Sequence, residues 1–218
     1  MRSSTTRLLL LGAVGLFEPV NGYQIRRELM SWQADQWANV APGSIYHGLA
    51  RLSADGLLTR HDVTEGARDV AVYQLTDAGR TEVQRLIAEA IDHIDIYDHR
   101  DFQAAYGLLP MLGADRAVEL LTDRHRRFAD IIADLPEHID PAMHPYAPPH
   151  ALRSLELWSR TARAEFDWLT DLLQDVARGT LSLDTTGWAP PADDPGHQMS
   201  DDRRRYREMI GAEPPTSQ

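Results

Sequence analysis

The tightest constraint on this chain is the order of its periodic segments between residues 5 and 80. Thr5 or Thr6 can cap a first helix running to Phe17, closed by Glu18-Pro19 because a residue before proline avoids the helical region. Asn21 can cap a second, with Tyr23, Ile25, Leu29 and Met30 as its apolar stripe. Pro42-Gly43-Ser44 opens a third, carrying Ile45, Leu49 and Leu52 at i, i+4, i+7 before Asp55-Gly56 ends it. Two β-rich runs follow, residues 57–63 and 70–75, and the loop Thr64–Asp69 between them holds the glycine that a hairpin needs.

Three helices and then a hairpin is the order of a winged helix-turn-helix, so residues 1–80 are expected to form such a domain. Beyond it the chain is expected to be helical. Thr76 can cap a long helix reaching about Tyr97, another starts near Asp101 and breaks at Pro110 to Gly113, and a third spans Asp115–Leu135. From Ala151 to Val176, the residues Leu155, Trp158, Ala162, Phe166, Leu169, Leu173 and Val176 recur at intervals of three and four, a seam suited to packing against another helix. Pro136–Pro149 is too rich in proline for a helix, and the Pro-, Asp- and Gly-rich stretch 180–218 reads as a flexible tail. The expected architecture is therefore mainly α with a small β-hairpin: a winged domain (1–80), a helical dimerisation and effector domain (81–179) and a tail.

Composition narrows the chemistry. A chain of 218 residues can bury one large or two small cores. The lack of cysteine excludes thiolate catalysis and Cys-ligated metals, and leaves nothing to mark an oxidising compartment, so a cytoplasmic location is expected. Leu8–Phe17 is about half the length needed to cross a bilayer and reads as a buried first helix, with no membrane partner. Residues 1–80 hold 8 Arg and 8 acidic residues, which places the whole net charge of -11 in the remainder. All 22 basic residues are Arg, more simply a matter of base composition than of binding.

In the third helix, Ser44, His47 and Arg51 fall on the face opposite the apolar stripe, which suits insertion into a major groove. Arg68 sits at the hairpin tip, and Arg26 and Arg27 on the second helix can reach phosphates. Counting Tyr46 beside them, the candidate DNA contacts are Arg26, Arg27, Ser44, Tyr46, His47, Arg51 and Arg68. Trp32 and Trp37, with His93 and Tyr97 at the end of the long helix, are candidates for an aromatic effector, against the simpler reading that they pack. His138, Asp140, His144 and His150 lack metal-ligand spacing, and neither a phosphate loop nor a nucleophile elbow is present, so no cofactor, metal or catalytic residue is expected.

Four linked motifs sharpen this reading: Gly22-Tyr23-Gln24-Ile25, then Gly43-Ser44-Ile45-Tyr46-His47-Gly48-Leu49-Ala50-Arg51-Leu52, then Asp55-Gly56-Leu57-Leu58, and Tyr73-Gln74-Leu75-Thr76-Asp77-Ala78-Gly79. In order and spacing they resemble the PadR family of bacterial transcription regulators, over about residues 8–80, and the long second block resembles its longer subfamily. The resemblance implies a homodimer joined through its C-terminal helices, binding a palindromic operator and usually repressing until a small molecule releases it. Two features depart from the family: His47 where proline is frequent, and Glu65 and Asp69 in a wing that is usually more basic. The acid-bearing wing and the acidic second block keep open an alternative, a protein-interaction or ligand-binding module that has lost affinity for DNA.

Overall fold

The computed structural model describes residues 4–135, 140, 142, 144–185, 191, 193–194 and 196–211. The chain divides into two units. One comprises residues up to Ile87 together with those from Thr186 onward, and the other is Ala88–Thr185.

The first unit is built on α1 (Ser4–Phe17), where Leu8, Leu9, Leu10, Leu11, Ala13 and Val14 are all buried. A helix apolar on nearly every side belongs at the centre of a core, and the other elements wrap it. The short strand β1 (Val20–Asn21) leads into α2 (Gly22–Ser31), whose start is fixed by a reciprocal capping box: the Asn21 side chain accepts from Gln24 N at 2.8 Å, and Gln24 Oε1 accepts from Asn21 N at 3.1 Å. A single turn, α3 (Ala34–Trp37), precedes α4 (Ser44–Ala54). Neither β1 nor α3 is expected from the sequence, because elements of two and four residues carry no period.

The hairpin pairs β2 (Leu58–Glu65) with β3 (Arg68–Leu75), in register from Leu58↔Leu75 to Glu65↔Arg68, and β1 joins the other edge of β3 through Val20↔Tyr73. The strands are longer than the composition suggests. Only Gly66 and Ala67 remain as the turn, and Gly66 takes the positive φ of 64° that a two-residue primed turn requires. After β3, Thr76 Oγ1 accepts from Gly79 N and so caps α5 (Asp77–Asp92). An ideal Cβ on Gly79 would lie 2.1 Å from the Leu57 carbonyl oxygen, so only glycine lets the first turn of this helix lie so close to the strand entry.

The tail expectation is corrected within residues 196–210. They form α9 (Gly196–Ile210), which follows α6 (Arg100–Gly107), α7 (Ala114–Asp134) and α8 (Pro149–Arg178) along the chain, and Met199 and Tyr206, seven residues apart, are buried against the winged elements. Tyr206 Oη accepts from Asn21 Nδ2 at 2.8 Å, Gln24 Nε2 donates to Asp202 at 2.8 Å, and Arg205 pairs with Glu65. Both members of the α2 capping box are thus bonded a second time from α9. The rest of the proposed tail lies partly outside the described residues.

The second unit contains α6 (Arg100–Gly107), a 3-10 turn at Leu109–Leu112, α7 (Ala114–Asp134) and α8 (Pro149–Arg178), with α7 and α8 packed on each other. The boundary between the units falls within α5, seven residues later than the expected domain limit at residue 80. That helix also stops at Asp92 instead of reaching Tyr97. Its last carbonyls are taken by arginines of α7: Arg124 donates to Ile91 O at 2.9 Å and His93 O at 2.7 Å, and Arg127 to Asp92 O at 2.8 Å.

Between α7 and α8 the core holds a charge pair. Arg124 is 1% exposed and donates to Glu165 at 2.6 Å, with its guanidinium 3.9 Å from the centre of the Phe102 ring. Burial pushes the Arg124 pKa down from its ordinary value, and Glu165 opposes that shift. Of the seven residues assigned to a dimer seam, Ala162 and Leu169 are fully buried within this one chain, Phe166 stacks on His125 at 4.7 Å, and Trp158 lies edge-on to Tyr97 at 5.0 Å. Much of that seam is spent inside the protomer, with Leu155, Leu173 and Val176 half-buried.

Candidate nucleic-acid interface

The site follows from how α4 is seated. Ile45, Leu49 and Leu52 are buried, which turns Ser44, Tyr46, His47 and Arg51 outward; all four are exposed. Two glycines set the depth. A Cβ on Gly48 would lie 2.4 Å from Leu10 Cδ1 of α1, and one on Gly22 would lie 2.9 Å from the Tyr46 ring, so each glycine admits the partner that replaces its side chain. Tyr46 therefore lies across the start of α2, half exposed, instead of standing free. The Ser44 hydroxyl donates to Ala41 O at 2.7 Å, which leaves its oxygen lone pairs facing out. Beside the helix runs a groove of about 780 Å³ lined by Thr6, Arg7, Leu10, Asn39, Ala41, Ser44, His47, Gly48, Arg51 and Leu52.

The charges of the winged elements are arranged unevenly although their totals balance. Arg7 pairs with Asp55 and Glu82, Arg60 with Asp62 at 2.7 Å, and Arg80 with Glu18 at 2.5 Å. Arg27 pairs with Glu28 and touches Met199 of α9. Glu65 in the wing is paired with Arg205, and Asp69 accepts from Thr64 Oγ1 at 3.1 Å. Arg26, Arg51 and Arg68 are exposed and form no ion pair among the described residues. Glu18, Glu28, Asp55, Asp62 and Glu65 each have an arginine partner, while three cations, on α2, α4 and the wing tip, have no acidic one among the described residues. Arg7 is the groove residue that the sequence reading overlooked; its only signal is its place in the first turns of α1.

The effector candidates fall into both units, Trp32 and Trp37 half-buried in one and His93 and Tyr97 exposed in the other. Trp32 meets Phe17 at 6.1 Å and its carbonyl accepts from Trp37 Nε1 at 2.9 Å, within the winged unit. His93 and Tyr97 lie in the helical unit, where the His93 carbonyl receives Arg124 and Tyr97 meets Trp158. Among the described residues, no three His, Asp or Glu side chains come together as metal ligands, and no helix is long and apolar enough to cross a membrane. His138 lies outside the described residues.

A three-stranded antiparallel sheet behind α2 and an outward-facing α4, with two of its strands, β2 and β3, extended as the wing, defines a winged helix-turn-helix protein. Residues 10–85 match the model of the transcriptional regulator PadR-like family. No curated protein matches the sequence. Among solved structures, the chain is similar to Bacillus subtilis PadR in complex with operator DNA, at 21% identity over 81% of this chain and 98% of that one, with a TM-score of 0.36. It is also similar to a PadR-like transcriptional regulator from Bacillus cereus, at 19% identity over 78% of this chain and 95% of that one, with a TM-score of 0.34.

Proposed function

We propose that this chain is a PadR-like regulator that binds double-stranded DNA in a sequence-specific way, as a cytoplasmic homodimer joined through its helical unit, and represses until a small effector releases it. The observation that carries this reading is the outward face of α4, which offers Ser44, His47 and Arg51 with no acidic side chain among them, flanked by the uncompensated Arg26 and Arg68. Ser can bond either kind of base edge and Arg can hold guanine or phosphate. Of the two wing acids that favour a module without DNA affinity, Glu65 has its charge taken by Arg205, and Asp69 accepts from Thr64 Oγ1.

The test is selection from random duplex DNA by the full-length protein, followed by titration at fixed salt. An inverted repeat is expected, with half-sites about 34–36 Å apart. Arg51→Ala should then weaken binding by about 1–3 kcal/mol without lowering thermal stability. Enrichment of no sequence, or an Arg51→Ala protein that binds as well as the parent, overturns the proposal.

A further inference from the structure

We infer that the helical unit holds a small-molecule site of its own, between α6 and α8, shaped for an uncharged planar aromatic molecule that carries one hydrogen-bond donor. The inference gives the regulator reading a ligand class and a place for it, and rests on that reading only for any effect on DNA.

The site comes from two helix faces. On α6 and the residue before it, His99, Phe102 and Tyr106 follow at intervals of three and four; on α8, Thr161, Glu165 and Trp168 do the same. Together they line a cavity of about 340 Å³, in the size range of small-molecule pockets. Trp168 stands edge-on to both neighbouring rings, 6.1 Å from Phe102 at 78° and 5.1 Å from Tyr106 at 75°. Another flat ring can join such an array with offset or edge-to-face geometry. The Phe102 wall is held in place, because the Arg124 guanidinium packs on its ring. Trp168 is nonetheless 41% exposed, an indole left in water at the mouth of an aromatic slot.

The charge of the ligand follows from Glu165. One of its oxygens is held by Arg124 and the other by His99, so neither is free for an incoming cation. A cation would have to displace a partner, and an anion finds no arginine on the lining, since Arg124 behind it is already spent on Glu165. With Nδ1 of His99 committed to Glu165, its Nε2 and the Gln103 amide remain to meet one polar substituent.

Calorimetry on the full-length protein tests this with three bicyclic probes: β-naphthol (uncharged), β-naphthoate (an anion) and N-methylquinolinium (a cation). β-Naphthol is expected to bind once per chain and at least about tenfold tighter than either ion. Trp168→Ala should weaken it about tenfold, and Thr161→Trp, which fills the slot from an exposed position, should abolish binding. Trp32→Leu, in the winged unit, should leave binding unchanged. Both pocket substitutions are at exposed sites, so either alone suffices if the other perturbs the fold. Absence of β-naphthol binding, equal or tighter binding of a charged probe, or full affinity in Thr161→Trp overturns the inference. DNA titration without probe separates the two readings: protein that binds DNA but not β-naphthol refutes the pocket alone, and protein that binds β-naphthol but no DNA refutes the regulator alone.

Discussion

Replacing Tyr206 with alanine removes the side chain that anchors α9 to the winged unit. Tyr206 is 1% exposed. Burying a ring of this class removes about 150–250 Å² from water, which at about 25 cal/mol per Å² is worth roughly 4–6 kcal/mol, an upper figure because the unfolded chain is itself partly collapsed. Aromatic-to-alanine changes in cores cost about 3–5 kcal/mol, and that is the expected loss here. The hydroxyl contributes separately. Tyr206→Phe keeps the ring but leaves the Asn21 amide without its 2.8 Å acceptor, at a cost of about 1 kcal/mol. Urea unfolding of the full chain, with hydrogen exchange resolved along residues 196–210, reads both effects. Tyr206→Ala should expose the α9 amides and lower the stability of α2 and the wing, while α7 and α8 keep their protection. A loss under about 1 kcal/mol, or unchanged protection of α9, would refute the anchoring argument.

Gly79→Ala drives a methyl into the Leu57 carbonyl oxygen, so it should destabilise by about 1–3 kcal/mol or more, read as a lowered urea midpoint. Arg124→Ala strands Glu165 and should cost about 3–5 kcal/mol, whereas Arg124→Met with Glu165→Met should cost less; a double variant no better than the single would show that the ion pair itself was stabilising. Arg100 holds Asp98 down to about 2, and Arg85 with Arg7 holds Glu82 below the usual carboxylate range. Depressed values mean that these pairs stabilise fully above the ordinary carboxylate range and lose that contribution as the pH falls through it, for Asp98 down towards about 2. Both pairs are partly solvated, so Asp98→Asn should flatten the acid limb of the stability–pH curve by less than about 1 kcal/mol, measured by urea titration across that limb.

The winged unit was legible because its signals are local and redundant. Asn21 with Gln24, Pro42-Gly43-Ser44, Asp55-Gly56 and Thr76 with Gly79 each punctuate an element through bonds of three or four residues' span, and each boundary falls within a residue or two of its place. The outward face of α4 was readable for the same reason. Arg124 and Glu165 were not. They occupy stripe positions, Arg124 three residues after Leu121 and four before Phe128, yet a charged residue on a stripe looks like a break in it until its partner on another helix is known. The aromatic slot was hidden likewise, since Phe102 and Tyr106 meet Trp168 only through tertiary packing. α9 escaped because two buried residues in fifteen leave almost no periodic signal among so many charges.

The second docking of the α2 capping box from α9 has a consequence for biosynthesis. The winged unit is discontinuous: its first part is complete at Ile87, but the helix that bonds Asn21 and Gln24 emerges from the ribosome only after roughly a hundred further residues, some 5–20 s of translation at ordinary rates. Throughout that interval Gln24 and the polar edge of the wing are left to water, and the helical unit can fold first. The unit that reads as N-terminal is therefore the last to be finished, and nascent chains stalled between the two segments carry a winged domain without its final helix.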